Sequence, residues 1–243
     1  MGTGEQSRPG TSRRVNLARA HNKSGNPAAT LWYVYSGHSA SDWVLEGQLE
    51  WANYLWLEAT PRVSAVNYAP AHSVPRSVSK LVVSTALFAD GMTEWHAVFD
   101  DTATAHFTEA AEHDIRLASL KLAAKAATAA GARLVCRTKS DIQARSLLLG
   151  NWARAISWIA ACRDHPLDPS MVEVASVMRA CRTATLETLT NELGHLEIPK
   201  LYAAIFRLIQ IGRLEADLDL EPLSRRTLLR ERQSDAPPHS LNT

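Results

Sequence analysis

Apolar positions recur along this chain at two periods, and the switches between them predict its elements. From Asp42 to Pro61 the residues Leu45, Leu49, Ala52, Leu55 and Trp56 fall at helical spacing, which predicts an amphipathic helix ending before Pro61. Upstream of it, Thr30 to Tyr35 (TLWYVY) is aromatic and β-branched enough for a short strand, and Ser36 to Ser41 is a turn. Downstream, RVSAVNY and KLVVSTALF predict strands separated by Pro70 and Pro75. Asp90-Gly91 is a hairpin signal, with Thr93 to Phe99 as the returning strand. The Ala-rich stretch from about Thr108 to Ala130 predicts a helix stopped by Gly131, followed by a buried strand from Leu134 to Arg137. Ser140 with Gln143 reads as a capping box for a helix running to about Ala161. The order αβββαβα predicts a mixed α/β layer with helices on both faces of a small sheet.

The pattern breaks at His165-Pro166-Leu167-Asp168-Pro169, which reads as a linker. Beyond it Met171 to Cys181, Leu186 to Leu193 and Pro199 to Ile211 predict three helices, and Arg213 to Leu218 a strand before Pro222. Three helices with a β-wing predict a winged helix, its third helix in the recognition position. On that helix Leu201, Ile205, Leu208 and Ile209 are expected to face inward, leaving Lys200, Tyr202, Ala203, Arg207 and Gln210 outside. The expected division is a tail over 1–29, a core domain over 30–164, a winged-helix domain over 170–232 and a tail over 233–243.

Composition narrows the function classes. A chain of 243 residues with 46% hydrophobic and 21% charged residues can bury one sizeable core or two small ones. The formal net charge of +1 means no global basic field, although a local basic stripe can still bind DNA. Cys136, Cys162 and Cys181 are odd in number and form no CxxC pair, as expected for reduced thiols. There is no apolar run of about 20 residues and no signal-peptide core, so a cytoplasmic location without membrane contact is expected. With no G-x-S-x-G elbow and no Gly-rich phosphate loop, hydrolase triads and nucleotide binding drop out. His106, Glu109 and His113 share one helix face but lack a fourth ligand, and read as a solvated polar face.

Several phrases together resemble TnsA-like endonuclease subunits of heteromeric transposases, over about residues 30 to 230. They are Leu49-Glu50, Leu57-Glu58, Pro61 and Val63, and Tyr68-Ala69-Pro70 where the family usually has Gln-Pro. Asn151-Trp152 follows, and then Gly212-Arg213-Leu214, Asp217-Leu218, Pro222-Leu223-Ser224 and Thr227 in order. The resemblance implies a restriction-endonuclease-like mixed sheet of the PD-(D/E)xK type flanked by helices, followed by a small, helix-rich winged-helix domain. It also implies Mg²⁺-dependent cutting at transposon ends, beside a DDE transposase and an AAA+ ATPase regulator.

Phosphodiester hydrolysis in such a core needs Mg²⁺ held by oxygen ligands from two or more protein groups. Glu50 matches the family's helix carboxylate. Counting from Asp90-Gly91 puts the family's Asp at Val83 and its E-x-K pair at Ala97 and Phe99, none of which ligates a cation. A slid register offers Ser79-Lys80 and Glu94-x-His96, and Asp100 and Asp101 lie just past the strand. The expectation is therefore a degraded nuclease centre, with Glu50 either a vestigial ligand or a helix-surface carboxylate, and an architectural or regulatory role. The alternatives are an active endonuclease with migrated ligands and a stand-alone winged-helix regulator. Lys200, Arg207 and Arg213, with Arg225, Arg226 and Arg230 at the domain's end, are the candidate DNA contacts.

Overall fold

The structure, a computed structural model, describes residues 30–101 and 109–232, with the backbone alone over 109–113. The expected tails at 1–29 and 233–243, and the side chains of His106, Glu109 and His113, lie outside the described residues.

Strands β1 (Leu31–Ser36) and β2 (Ser41–Glu46) pair as an antiparallel hairpin, and helix α1 runs from Gly47 to Glu58. The residues Asp42 to Glu46, expected as the helix's first turn, are thus strand. Gly47 explains the difference: at φ +82° it turns the chain directly from strand into helix, while its N–H closes the hairpin on the Thr30 carbonyl at 2.8 Å. Leu45 is buried from the strand, and its helical distance from Leu49 is coincidental. At the other end Thr60 Oγ1 donates to the Trp56 carbonyl at 2.7 Å, and Pro61 prevents continuation.

Strands β3 (Val63–Asn67), β4 (Val82–Phe88), β5 (Thr93–Phe99) and β6 (Ala132–Thr138) form one sheet in that order. The first three are antiparallel, and β6 joins β5 in parallel. A parallel pair needs a crossover, which helix α2 (Glu109–Ala129) supplies. Its Ala123 and Ala127 pack with Val82 and Trp95 on one face of the sheet, whereas α1 covers the other. The chain is therefore α/β, with a mixed four-stranded sheet flanked by helices.

Thr138 and Asp141, rather than Ser140 and Gln143, make the capping box of α3 (Lys139–Ala144). Thr138 ends β6 in extended conformation, so its hydroxyl already stands where an N-cap is needed. The helix breaks at Arg145, and α4 runs from Ser146 to Ala161.

Helices α5 (Asp168–Cys181), α6 (Leu186–Glu192) and α7 (Ile198–Gln210) follow, with strands β7 (Thr183–Thr185), β8 (Leu214–Ala216) and β9 (Leu228–Glu231). The strands form an antiparallel sheet in the order β7-β9-β8. Periodicity predicts one strand here, over β8; β7 offers only three residues, and the LLRE of β9 shows no alternation of apolar and polar positions.

A continuous buried cluster extends from Leu45 in β2 to Leu229 in β9, passing through α4 and α7 without a break at residues 165–169. Trp152 meets Phe206 edge-on at 5.9 Å, and Trp158 stacks on Phe206 at 5.6 Å. Asn151 pins the end of the chain to α4: its amide nitrogen donates to the Leu218 and Glu221 carbonyls at 2.7 and 2.8 Å, and its oxygen accepts from Leu223 N–H at 2.8 Å. The phrase from Gly212 to Thr227 is thus one packed unit, with Leu214, Leu218 and Leu223 in the core. Among the described residues no helix is long and apolar enough to cross a membrane.

Candidate functional site

The α1 face of the sheet carries a connected set of buried polar groups. A β-bulge at Val83 sorts them: Val82 pairs with Ala97, but two residues later Ser84 pairs with His96. Val82 therefore packs under α2, while Ser84 and Ala86 face α1. On β5 the alternation puts Trp95, Ala97 and Phe99 on the α2 side, where Phe99 lies beneath the Arg116 guanidinium. Glu94 and His96 face α1. The two positions to which a count from the hairpin assigns the E-x-K pair consequently point away from α1, and the Glu94-x-His96 pair points toward it.

Asn53, one turn beyond Glu50 on α1, donates to Ser84 Oγ at 2.9 Å and accepts from Arg137 Nη1 of β6. Arg137 Nη1 also meets His96 Nδ1 at 2.9 Å. A guanidinium can only donate, so Nδ1 is the acceptor and the imidazole proton resides on Nε2. Burial, and then the charges of Arg137 and Arg133, push the His96 pKa down to about 3, so the ring is neutral. Its 3.4 Å approach to Glu94 Oε2 is accordingly a weak polar contact rather than an ion pair. The other oxygen of Glu94 is bonded to Arg133.

Of these side chains Glu94, Arg133 and Arg137 line a cleft of about 460 Å³, whose walls also include Trp56 and Asp141. Arg137 and Arg145 both lie against the Trp56 ring, at 4.7 and 4.6 Å from its centroid. The donor set does not fit a magnesium ion, which takes free oxygen ligands in octahedral array. The Asn53 oxygen and the Glu94 carboxylate are occupied by arginines, His96 offers nitrogen, and a guanidinium already fills the position between them. Among the described residues no three His, Cys, Asp or Glu side chains converge as a metal site. Asp100 and Asp101 instead hold α3, through Lys139 Nζ at 2.9 Å and Ser140 N–H at 3.1 Å.

No model of a known protein family matches the chain, and no curated protein matches it either.

Glu50 caps the helix that carries it, accepting from Glu46 N–H at 2.8 Å. Burial raises its pKa, and that hydrogen bond opposes the rise. The buried carboxylate of α1 is instead Glu58. It accepts from Ser36 Oγ at 2.5 Å, Gly37 N–H at 2.9 Å, Tyr68 OH at 3.0 Å and Gln210 Nε2 at 2.8 Å. In sequence it stood only as half of the Leu57-Glu58 phrase, since its donors come from three distant segments.

Of the residues expected to face outward on the third helix, Ala203 and Gln210 are fully buried, and Tyr202 packs edge-on against Trp158 at 4.8 Å. Arg207 turns inward to Gln210 Oε1 at 2.5 Å, near Glu58, and burial lowers its pKa. The reason is that α7 lies between α4 and α5, with the β1–β2 hairpin over its end, so its polar residues find partners inside. Lys200 pairs with Glu197 at 3.0 Å in the first turn. Arg230 holds Asp217 through two nitrogens at 2.9 and 2.8 Å. Arg213, Arg225 and Arg226 are exposed, the last two in the loop between β8 and β9.

Proposed function

We propose that the chain is a TnsA-like subunit of a heteromeric DNA transposase whose nuclease centre no longer cuts. In this reading it acts at transposon ends as an architectural or regulatory part, beside a DDE transposase and an AAA+ ATPase regulator. The order of helix, three antiparallel strands, crossover helix and parallel strand supports a restriction-endonuclease-like core. The α5-β7-α6-α7-β8-β9 order supports a winged helix packed onto it. The observation that carries the loss of cutting is Arg137: bonded to Asn53 and His96, its guanidinium occupies the face of β5 where a nuclease of this architecture gathers carboxylates around magnesium.

DNA contact in this reading passes through the β8–β9 loop, because α7 has no free face to lay in a groove. Arg225 and Arg226 there, with Arg213, supply positive charge to phosphates without reading bases.

The test is co-purification with the transposition proteins encoded beside the gene, followed by strand-cleavage assays on transposon-end DNA in Mg²⁺ and Mn²⁺. The expected result is a stable complex with no cut attributable to this chain. Metal-dependent nicking that Glu50→Ala abolishes would overturn the silent centre, and failure to recover any transposition protein would overturn the assignment.

A further inference from the structure

The cleft beside Trp56 has an imbalance of charge that the network around it does not use up. Two carboxylates line it, Glu94 and Asp141, against the guanidiniums of Arg133 and Arg137, and both favour the charged form of Arg137. Glu94 is bonded to Arg133 and faces His96, while Asp141 Oδ2 accepts from the Thr138 N–H and hydroxyl, each at 2.8 Å. With Arg145 on the Trp56 ring, three guanidiniums outnumber these two carboxylates, and among the described residues neither Arg137 nor Arg145 has a carboxylate in direct ion-pair contact.

That is costly for Arg137, of which only 8% is exposed. A buried guanidinium with carboxylates nearby but none in direct contact, as Arg137 has in Glu94 and Asp141, is retained where something compensates its lost hydration. Here Asn53 and His96 engage one nitrogen, and the Trp56 ring lies against the guanidinium carbon. Among the described residues the remaining N–H groups of Arg137 meet no hydrogen-bond acceptor, and the side chain lines the open cleft. Arg145 is exposed and, outside the lining itself, lies against the indole of Trp56, one of the cleft's walls. Arg133 contributes a third guanidinium, partly screened by Glu94.

We propose that this cleft is a metal-independent site for a phosphate oxyanion, held by the Arg137 and Arg145 guanidiniums in the geometry that Trp56 gives them. Planar guanidinium forks match tetrahedral oxyanions, and charge-assisted bonds of this type are the strong ones. The volume admits either a phosphodiester of a nucleic-acid strand or a free phosphate or pyrophosphate. The site stands on the cleft's own chemistry and does not rest on the transposition reading.

The test uses the full chain in EDTA, with pyrophosphate followed by calorimetry and a fluorescein-labelled DNA duplex followed by anisotropy. Arg145→Ala, an exposed substitution that leaves the buried network intact, is expected to weaken binding by about tenfold or more, the loss of one charge-assisted contact. Loss for both probes assigns the site to phosphate from either source. Loss for the duplex alone assigns it to a strand, and loss for pyrophosphate alone to the free anion. A double variant Arg225→Ala, Arg226→Ala separates the loop: it is expected to weaken the duplex and leave pyrophosphate unchanged. If the wild-type chain binds neither probe, or Arg145→Ala and Arg137→Met, each folded by near-ultraviolet circular dichroism, bind both as wild type does, the proposal is overturned.

Discussion

Gln210 donates through its amide nitrogen to both the carboxylate of Glu58, at 2.8 Å, and the Glu58 carbonyl, at 3.2 Å, joining the last turn of α7 to the last turn of α1 across 152 residues. With Ser36, Gly37 and Tyr68 on the same carboxylate, three separate segments close on one buried acid. Glu58→Ala removes the common acceptor and leaves those donors without a partner. We expect a loss of about 3–5 kcal/mol in stability, read by urea denaturation. Glu58→Gln keeps one acceptor oxygen and is expected to cost less.

Gly37 lies against that junction. A methyl group built on it meets Gln210 Oε1 at 2.3 Å and Arg207 Nη1 at 2.7 Å. Gly37→Ala therefore has to displace the Gln210 amide, and a loss of about 1–3 kcal/mol is expected. Combining it with Gln210→Ala should be less destabilising than the sum of the two, which a double-mutant cycle in thermal unfolding measures.

His96 predicts a pH dependence. Its folded pKa, about 3, lies below its ordinary value of 6.5. The unfolded chain thus binds a proton that the folded chain refuses between those values. The stability contributed by the neutral ring is complete above pH 6.5 and declines as the pH falls toward 3. His96→Gln retains an acceptor for Arg137 and removes the titration. Between pH 6 and 4 its plot of unfolding free energy against pH is expected to be shallower than wild type by up to about 1.4 kcal/mol per pH unit.

Trp152 is almost wholly buried where α4 meets α7. Trp152→Ala is expected to cost about 3–5 kcal/mol. Because the core continues through residues 165–169, both halves of the chain should lose structure together. Coincident transitions by far-ultraviolet dichroism and tryptophan fluorescence check this.

For the β8–β9 loop, the double variant Arg225→Ala, Arg226→Ala is expected to lower duplex affinity uniformly across sequences. The slope of log affinity against log salt should fall by about 2, the number of phosphate contacts removed.

Much of the architecture was legible where period and punctuation agree. Strands β3, β4 and β5, the hairpin at Asp90-Gly91 and the ends of α2 and α7 at Gly131 and Gly212 follow from local signals. What was not legible depends on distant partners. Arg207 and Gln210 look like an outward polar face until Glu58 is brought to them, and Glu58 looks like a surface acid until four donors surround it. Strand β2 hides because Gly47 makes its one-residue transition to α1 without a loop. The cleft was half visible: Glu94-x-His96 stood as a slid alternative, but Arg137 belongs to a strand 41 residues on, and nothing local ties it to His96.

The irregularity at Val83 has a consequence for comparing this chain with others. Val83 is the position without a cross-strand partner of its own, since Val82 opposes Ala97 and Ser84 opposes His96. Removing it would leave a regular ladder with the same residues above and below the sheet. Strand length is thus free to drift by one at this spot, and relatives should be matched here by which residue lies opposite which, not by distance along the chain.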